Sequence, residues 1–99
     1  MKNGYLGIYD SGIGGLSVVK AVQEAFPNQK IIFLADSRNM PYGSKTARQI
    51  ISYSLNNVRI LTDYPLKAIL IACNTSDSIA RKTLQENCSL PIFGVIEPA

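Results

Sequence analysis

The stretch KAILIACNTSDSI, from Lys67 to Ile79, decides the fold of this chain. Its first half, Ala68 to Ala72, is a short apolar run without polar alternation, which is typical of a parallel strand buried on both faces. Its second half, Asn74 to Asp77, is rich in residues that accept hydrogen bonds from the free N–H groups of a helix start. The stretch therefore predicts a buried strand followed directly by a helix, with Cys73 at the join.

Similar patterns on either side predict three more strands and two more helices. The predicted strands are Tyr5 to Tyr9 (ending at Asp10), Lys30 to Ala35 and Pro91 to Ile96. The first predicted helix carries Leu16, Val19, Val22 and Phe26 at helical spacing, and the second runs from a Ser44 cap to about Asp63. The helix after Cys73, the third in the chain, runs from about Ser76 to Asn87. Strands that alternate with helices predict an α/β fold with a parallel sheet. We expect the flavodoxin-like doubly wound strand order 2-1-3-4.

The predicted topology brings two loops together. Ligands of open α/β sheets bind outside the carboxyl ends of the strands, at the point where the winding direction reverses. Here that point lies between strands 1 and 3, where the loops Asp10-Ser11-Gly12 and Cys73-Asn74-Thr75 meet. A thiol at a helix N-terminus is placed where the helix dipole favours a thiolate, although a free cysteine is also a common buried hydrophobe. Asp10 either takes part in the site or caps the first helix, and beside Cys73 it could accept the thiol proton or oppose thiolate formation.

Composition bounds the functional class. The 99 residues allow one domain, and 46% hydrophobic and 17% charged residues describe an ordinary soluble globular protein. The net charge of +3 is spread along the chain and does not indicate a nucleic-acid surface. No signal peptide or membrane-length apolar run is apparent, so we expect a cytoplasmic protein with free thiols. The absence of histidine excludes Ser–His and Cys–His catalysis and histidine metal ligands within this sequence.

One face of the predicted sheet lacks cover. The first helix lies on one face and the second and third on the other, which leaves strands 3 and 4 bare on the first face although Ile69, Ile71, Phe93 and Val95 have the pattern of buried residues. The sequence also stops at Pro98-Ala99, directly after a strand, without a closing helix. We expect an incomplete domain with an apolar patch of about several hundred Å², of the kind that marks a partner surface.

Two loops allow more than one interpretation. Gly12-Ile13-Gly14-Gly15 precedes a helix but departs from G-x-G-x-x-G and lacks a P-loop lysine, so a tight turn or a small carboxylate at the helix start competes with phosphate binding. The segment Pro41-Tyr42-Gly43 has turn composition, and Tyr42 could reach over the crevice. Cys88 falls at the far end of the third helix and is expected to be structural.

Four segments of the sequence form one combined pattern. They are Asp10-Ser11-Gly12-Ile13-Gly14-Gly15-Leu16-Ser17, Pro41-Tyr42-Gly43-Ser44-Lys45, Ala72-Cys73-Asn74-Thr75 and Gly94-Val95-Ile96-Glu97-Pro98. In this order and spacing they resemble the amino-terminal part of glutamate racemase, in the aspartate/glutamate racemase family. The resemblance implies that residues 1–99 are the amino-terminal α/β domain of a racemase that interconverts L- and D-glutamate without a cofactor and supplies D-glutamate for bacterial peptidoglycan. It also implies a second domain and a returning carboxyl-terminal segment.

The resemblance assigns roles residue by residue. Cys73 matches the first of two catalytic cysteines, the one that acts on the D-face of the substrate, and Asp10 matches the carboxylate beside it. The positions that match those contacting the amino acid are Asp10, Ser11, Pro41, Tyr42, Gly43, Asn74 and Thr75. No metal is implied.

The sequence also departs from the family pattern. The second catalytic cysteine belongs to the latter half of family members, and Cys88 is no substitute for it. Ser76-Asp77-Ser78 replaces a run of small residues, and Asp77 adds a negative charge near the site. We therefore expect the chain to hold one half-site and to lack useful racemase activity alone. The alternatives are a non-catalytic association module, joined to a second copy or a second domain, and a flavodoxin-like binder of a phosphorylated ligand.

Overall fold

The chain forms a single parallel sheet in the computed structural model, which describes residues 4–95. Its described strands are β1 (Tyr5–Asp10), β2 (Ile31–Ala35), β3 (Leu66–Ile71) and β4 (Ile92–Gly94). All the pairings are parallel, and the order across the sheet is β2-β1-β3-β4. The predicted fold class and strand order are confirmed. The end of the predicted fourth strand, the final part of the Gly94–Pro98 segment and the first three residues lie outside the described residues.

Three α-helices connect the strands. They are α1 (Leu16–Ala25), α2 (Ala47–Leu61) and α3 (Asn74–Glu86), and short 3-10 turns occupy Ile13–Gly15, Ser37–Asn39 and Tyr42–Ser44. α2 packs beside α3, and together they cover one face of the sheet. Within residues 4–95, none of these helices has the length and apolar character that crossing a bilayer requires.

The start of α2 differs from the prediction. Its cap is Thr46 rather than Ser44, because Ser44 is part of a 3-10 turn. Gln49 N donates to Thr46 Oγ1 at 3.1 Å and Thr46 N donates to Gln49 Oε1 at 2.9 Å. This reciprocal capping box satisfies two free donors at once, which a lone serine does not.

The start of α3 also differs, since the helix begins at Asn74 and not at Ser76. Its N-cap is Cys73 itself, whose Sγ accepts a hydrogen bond from Ser76 N at 3.5 Å. The thiol thus takes the place of the oxygen that usually accepts this bond. Only Ala72 and Cys73 therefore separate β3 from α3.

The core lies between the sheet and the pair α2 and α3. Tyr9, Ile69, Ile71 and Ile92 supply its sheet side, and all are buried. The prediction that Ile69 and Ile71 belong to the bare face was wrong, because strand side chains alternate and these two point toward α2 and α3. Their neighbour Leu70 points the other way.

The opposite face is the open one, as predicted. A groove of about 370 Å³ lies there, lined by Leu6, Val22, Phe26, Gln29, Lys67, Leu70 and Phe93. Phe93 is 57% exposed and Phe26 is 64% exposed, and α1 buries none of its residues. The first helix alone does not cover this face, and Val95, just after β4, is half-buried.

Candidate functional site

The ends of β1 and β3 bring Asp10 and Cys73 to one edge of the sheet. Ala72 N donates to Tyr9 O at 2.7 Å and holds the two strand ends together. The Cys73 thiol then donates to Ser11 Oγ at 3.4 Å, and Ser11 N donates to Asp10 Oδ1 at 2.7 Å. The predicted convergence of these loops is confirmed, with Ser11 as the residue that bridges sulfur and carboxylate.

Both reactive groups are largely withdrawn from solvent. Cys73 is 6% exposed and Asp10 is 8% exposed. The sulfur sits at the N-terminus of α3, where backbone N–H groups carry partial positive charge. One of these donors, Ser76 N, is bonded to it. A negatively charged sulfur at this position has a hydrogen-bond donor and a favourable dipole beside it.

The glycine turn after β1 packs against the carboxylate of Asp10. A Cβ at Gly15 would lie 2.8 Å from Asp10 Cβ and 2.9 Å from its Oδ2, and one at Gly14 would lie 3.7 Å from Oδ2. Gly15 is therefore needed for close approach. Neither the Ile13–Gly15 turn nor α1 has a side-chain cap, so the alternative of Asp10 as a helix cap is wrong. A phosphate at this turn would face the carboxylate, which disfavours the phosphate interpretation.

The ring of Tyr42 does not reach over the crevice, contrary to the prediction. It is 2% exposed, and its hydroxyl donates to Asp36 Oδ2 at 2.5 Å. The same hydroxyl accepts from Tyr9 at 2.6 Å and from Asn57 Nδ2 at 3.1 Å. A buried carboxylate draws the hydroxyl inward, because an unpaired carboxylate there would be costly.

The other predicted binding positions are exposed or half-buried residues near the two loops. Pro41, after a cis peptide bond, and Gly43 are exposed, and a Cβ at Gly43 would meet nothing within 4 Å. Asn74 is exposed and Thr75 half-buried in the first turn of α3. Met40 was not predicted to matter, yet its Sδ would lie 3.3 Å from a Cβ at Gly12, so the loop after β2 approaches the loop after β1.

Asp36, in the loop after β2, is a buried carboxylate and not a solvated one. It is 9% exposed and accepts hydrogen bonds from Tyr42, Asn57 and Asn39. Burial by itself would raise the pKa of Asp36, but these hydrogen bonds outweigh it and lower the pKa below its ordinary value of 3.8. The carboxylate is therefore a fixed negative charge beneath the loops.

Two tyrosines share this buried environment. Burial, followed by the hydrogen bond to Asp36, raises the pKa of Tyr42 far above its ordinary value. Burial also raises the pKa of Tyr9, against the opposing effect of its hydrogen bonds with Ser54 and Tyr42. Both phenols stay protonated. The signal for this cluster in the sequence was a set of polar residues at positions otherwise suited to a core, such as Ser54 and Asn57 on α2.

Cys88 and Asp77 lie apart from the thiol contact. Cys88 follows the carboxyl end of α3, is half-buried and packs against the core, as predicted, and both cysteines are free. Asp77 is buried, and Arg81 donates to its two oxygens at 2.5 and 2.8 Å. A Cβ at Gly94 would overlap the carboxylate of Asp77, so β4 approaches that carboxylate closely. The charge of Asp77 is thus compensated by an arginine.

The chain is similar in sequence and in fold to glutamate racemases from several bacteria. The chain is 40% identical to the glutamate racemase of Aquifex aeolicus over 93 residues, which is 94% of this chain and 37% of the relative. Its fold matches the glutamate racemase of Aquifex pyrophilus with a TM-score of 0.92 at 40% identity, covering 95% of this chain and 37% of that one. It matches the Francisella tularensis glutamate racemase in complex with D-glutamate with a TM-score of 0.91 at 38% identity, covering 96% and 36%.

These matches span nearly the whole chain but only about a third of each relative, since the shares of the relatives are 36–37%. No protein-family model matches the chain. The similarity in sequence and in fold therefore concerns one part of a longer type of protein.

Proposed function

We propose that this chain, a homologue of the glutamate racemases by sequence and by fold, carries one half of a two-thiol site that racemises glutamate. The observation that carries the proposal is the contact of the buried Cys73 thiol with Ser11, whose N–H is bonded to Asp10. A nucleophilic sulfur, a carboxylate and free helix N–H groups meet there at one edge of the sheet. Glutamate itself is bound by the Francisella tularensis relative named above.

The chemistry follows from the weak acidity of an α-proton. A Cys73 thiolate removes the proton from one face of the α-carbon, so that an S–H bond forms and the C–H electron pair stays on carbon. Hydrogen-bond donors at the substrate carboxylate stabilise the resulting charge. Inversion then requires an acid on the opposite face. Cys88 lies at the other end of α3, so we assign the second thiol to the remaining two thirds of a full-length racemase.

The other predicted residues act either in proton transfer or in substrate binding. Ser11 contacts the sulfur directly and Asp10 orients Ser11, and Asp10 also offers a negative charge to the substrate ammonium or to the thiol proton. The N–H groups of Asn74 and Thr75, at the start of α3, suit a substrate carboxylate. Pro41 and Gly43, which are exposed on either side of the buried Tyr42, complete the binding surface.

The rest of the enzyme is proposed to pack on the open face of the sheet. Leu6, Leu70 and Phe93 line its groove, and apolar surface of this kind marks an interaction site. A second copy of the chain is the competing occupant. We further propose that the complete enzyme works without a cofactor in the cytoplasm and supplies D-glutamate for peptidoglycan, and that the chain alone does not racemise glutamate at a useful rate.

Deuterium exchange at the α-carbon tests this function. The purified chain is incubated with D-glutamate in heavy water, and proton NMR follows the α-proton signal while a chiral separation follows L-glutamate. We expect slow loss of the α-proton without inversion, because one base can remove and return a proton on one face only. Cys73→Ala should abolish the exchange, and Cys88→Ala, which alters the distant thiol, should retain it.

Three results would overturn the proposal. Folded wild-type chain that exchanges no deuterium would leave a scaffold rather than a half-site. Exchange that survives in Cys73→Ala would assign the base to another group. Formation of L-glutamate by the chain alone would contradict the half-site.

A further inference from the structure

We infer that a buried chain of hydrogen bonds, from Asp36 through Tyr42, Tyr9 and Ser54 to Ser76, positions the thiol of Cys73. The inference rests on the proposed function, because it gives the proposed base its supporting structure. Every member of the chain is at most 9% exposed, and both serines are fully buried. This series of hydrogen bonds runs through the core beneath the site and ends in the first turn of α3.

The links are short and continuous. Tyr42 donates to Asp36 at 2.5 Å, Tyr9 and Tyr42 are 2.6 Å apart, and Tyr9 and Ser54 are 3.3 Å apart. Ser54 Oγ lies 2.5 Å from Ser76 Oγ. Ser76 N then donates to the sulfur of Cys73 at 3.5 Å. One residue, Ser76, therefore belongs both to the buried chain and to the cap of the thiol.

The number of hydroxyl protons fixes the direction of donation along the series of hydrogen bonds. Each hydroxyl has one proton, and Tyr42 uses its own on Asp36 while Tyr9 uses its own on Tyr42. The Tyr9 oxygen can then only accept from Ser54, which leaves the Ser54 oxygen to accept from Ser76. Each donor thus points toward the carboxylate. The Ser76 hydroxyl is therefore directed away from the Cys73 sulfur, while the backbone N–H of Ser76 points toward that sulfur.

This arrangement does more than fill space. Polar groups in a core are costly unless each is bonded, and a half-satisfied chain is worse than an apolar core. Here the anchor is doubly held, since Asn57 and Asn39 also donate to Asp36. The other end reaches the site at the N–H that caps the thiol. Asp36, Tyr42, Tyr9, Ser54 and Ser76 are accordingly positioning residues, and none is assigned contact with the substrate.

The test removes one link that touches neither Cys73 nor Asp36. Ser54→Ala is made in a Cys88→Ala background, and the rate of Cys73 alkylation by iodoacetamide is measured against pH. We expect the pH of half-maximal rate to rise by roughly half a unit to one unit, because the thiolate loses part of its donor. Ser52→Ala is the matched control, because it removes an exposed serine hydroxyl from the same helix and should leave the profile unchanged.

The pH profile separates positioning from general loosening. A merely destabilised fold raises the alkylation rate at every pH, whereas a misplaced donor moves the midpoint. Tyr9→Phe cuts the same chain in its middle while it keeps the ring, and urea unfolding shows which variants are folded. If Ser54→Ala and Tyr9→Phe fold and their alkylation midpoints are unchanged, the inference is overturned. If neither variant folds, the inference is also overturned, because the hydrogen-bonded series would then serve folding only.

Failure of the function would look different. Alkylation needs no glutamate, so a shifted midpoint together with no α-proton exchange by the wild type would overturn the proposed racemase half-site and support the positioning of Cys73. α-Proton exchange by the wild type together with an unchanged alkylation midpoint in the variants would support the racemase half-site and overturn the positioning of Cys73.

Discussion

The two faces of the same sheet differ most in burial along β3 and β4. On the face toward α2 and α3, Tyr9, Ile69 and Ile71 are fully buried and the polar side chains among them are hydrogen-bonded. On the face toward α1, Phe93 is more than half exposed and Leu70 is only partly buried. Successive residues of β3 thus experience a core on one side and a groove on the other.

The difference shows which face of the sheet the chain covers with its own helices. Two helices that pack on each other seal a face, and they bury a polar chain that leads to the candidate thiol. One helix of ten residues does not seal the opposite face. The candidate site depends on the sealed face, so its geometry does not need the open face to be covered. The open face exposes apolar surface of the kind that marks interaction sites.

The largest expected effect breaks the sealed face. Ile71→Ala should lower the free energy of unfolding by about 2–5 kcal/mol, because it leaves a cavity in a packed core. Leu70→Ala, one residue earlier on the groove side, should cost about 1 kcal/mol or less, since a half-exposed side chain loses less buried area. Urea unfolding followed by circular dichroism measures both. Equal losses would contradict the contrast between the faces.

An intermediate effect concerns the charge that anchors the buried chain. Asp36→Asn should cost about 1–3 kcal/mol at neutral pH, because three donors lose a charged acceptor. The pKa of Asp36 is lowered by folding, so its contribution is present above its ordinary value of 3.8 and is lost as the pH falls through the folded value. The gap between wild type and variant should therefore close below about pH 4.

Unfolding midpoints between pH 2.5 and 7 measure that gap. Asp63→Asn, at an exposed aspartate beyond α2, is the control and should leave the curve unchanged. A gap that stays constant down to the lowest pH would show that Asp36 is not stabilised as an anion.

The smallest effect on stability is expected at the open face. Phe93→Glu should change the free energy of unfolding by no more than about 0.5 kcal/mol, because the ring is mostly in solvent. It should also reduce self-association at high concentration, since it places a charge in the apolar groove. Sedimentation velocity measures association. Ile92→Glu, at the buried neighbour, should unfold the chain, and similar behaviour of the two variants would refute the assignment of the faces.

Much of the fold and part of the site could be predicted from local patterns. The apolar run before Cys73 and the alternation of strands with helices indicated a parallel sheet, and the order of winding placed Asp10 near Cys73. The cap of α2 was missed because Ser44 and Thr46 are both good caps, and only the reciprocal bonds with Gln49 distinguish them. The buried roles of Tyr42 and Asp36 were missed because turn residues are expected to be solvated.

The sequence by itself determined the class of fold, the family resemblance and the residues available for chemistry, because periodicity and motif spacing are local properties of the chain. Tertiary structure alone decided which way each side chain points. Ile71 is in the core and Leu70 at the groove because strand side chains alternate, and only the placement of α2 and α3 says which side is sealed. The hydrogen-bonded path from Asp36 to Ser76 joins residues 40 positions apart, a contact that no local pattern encodes.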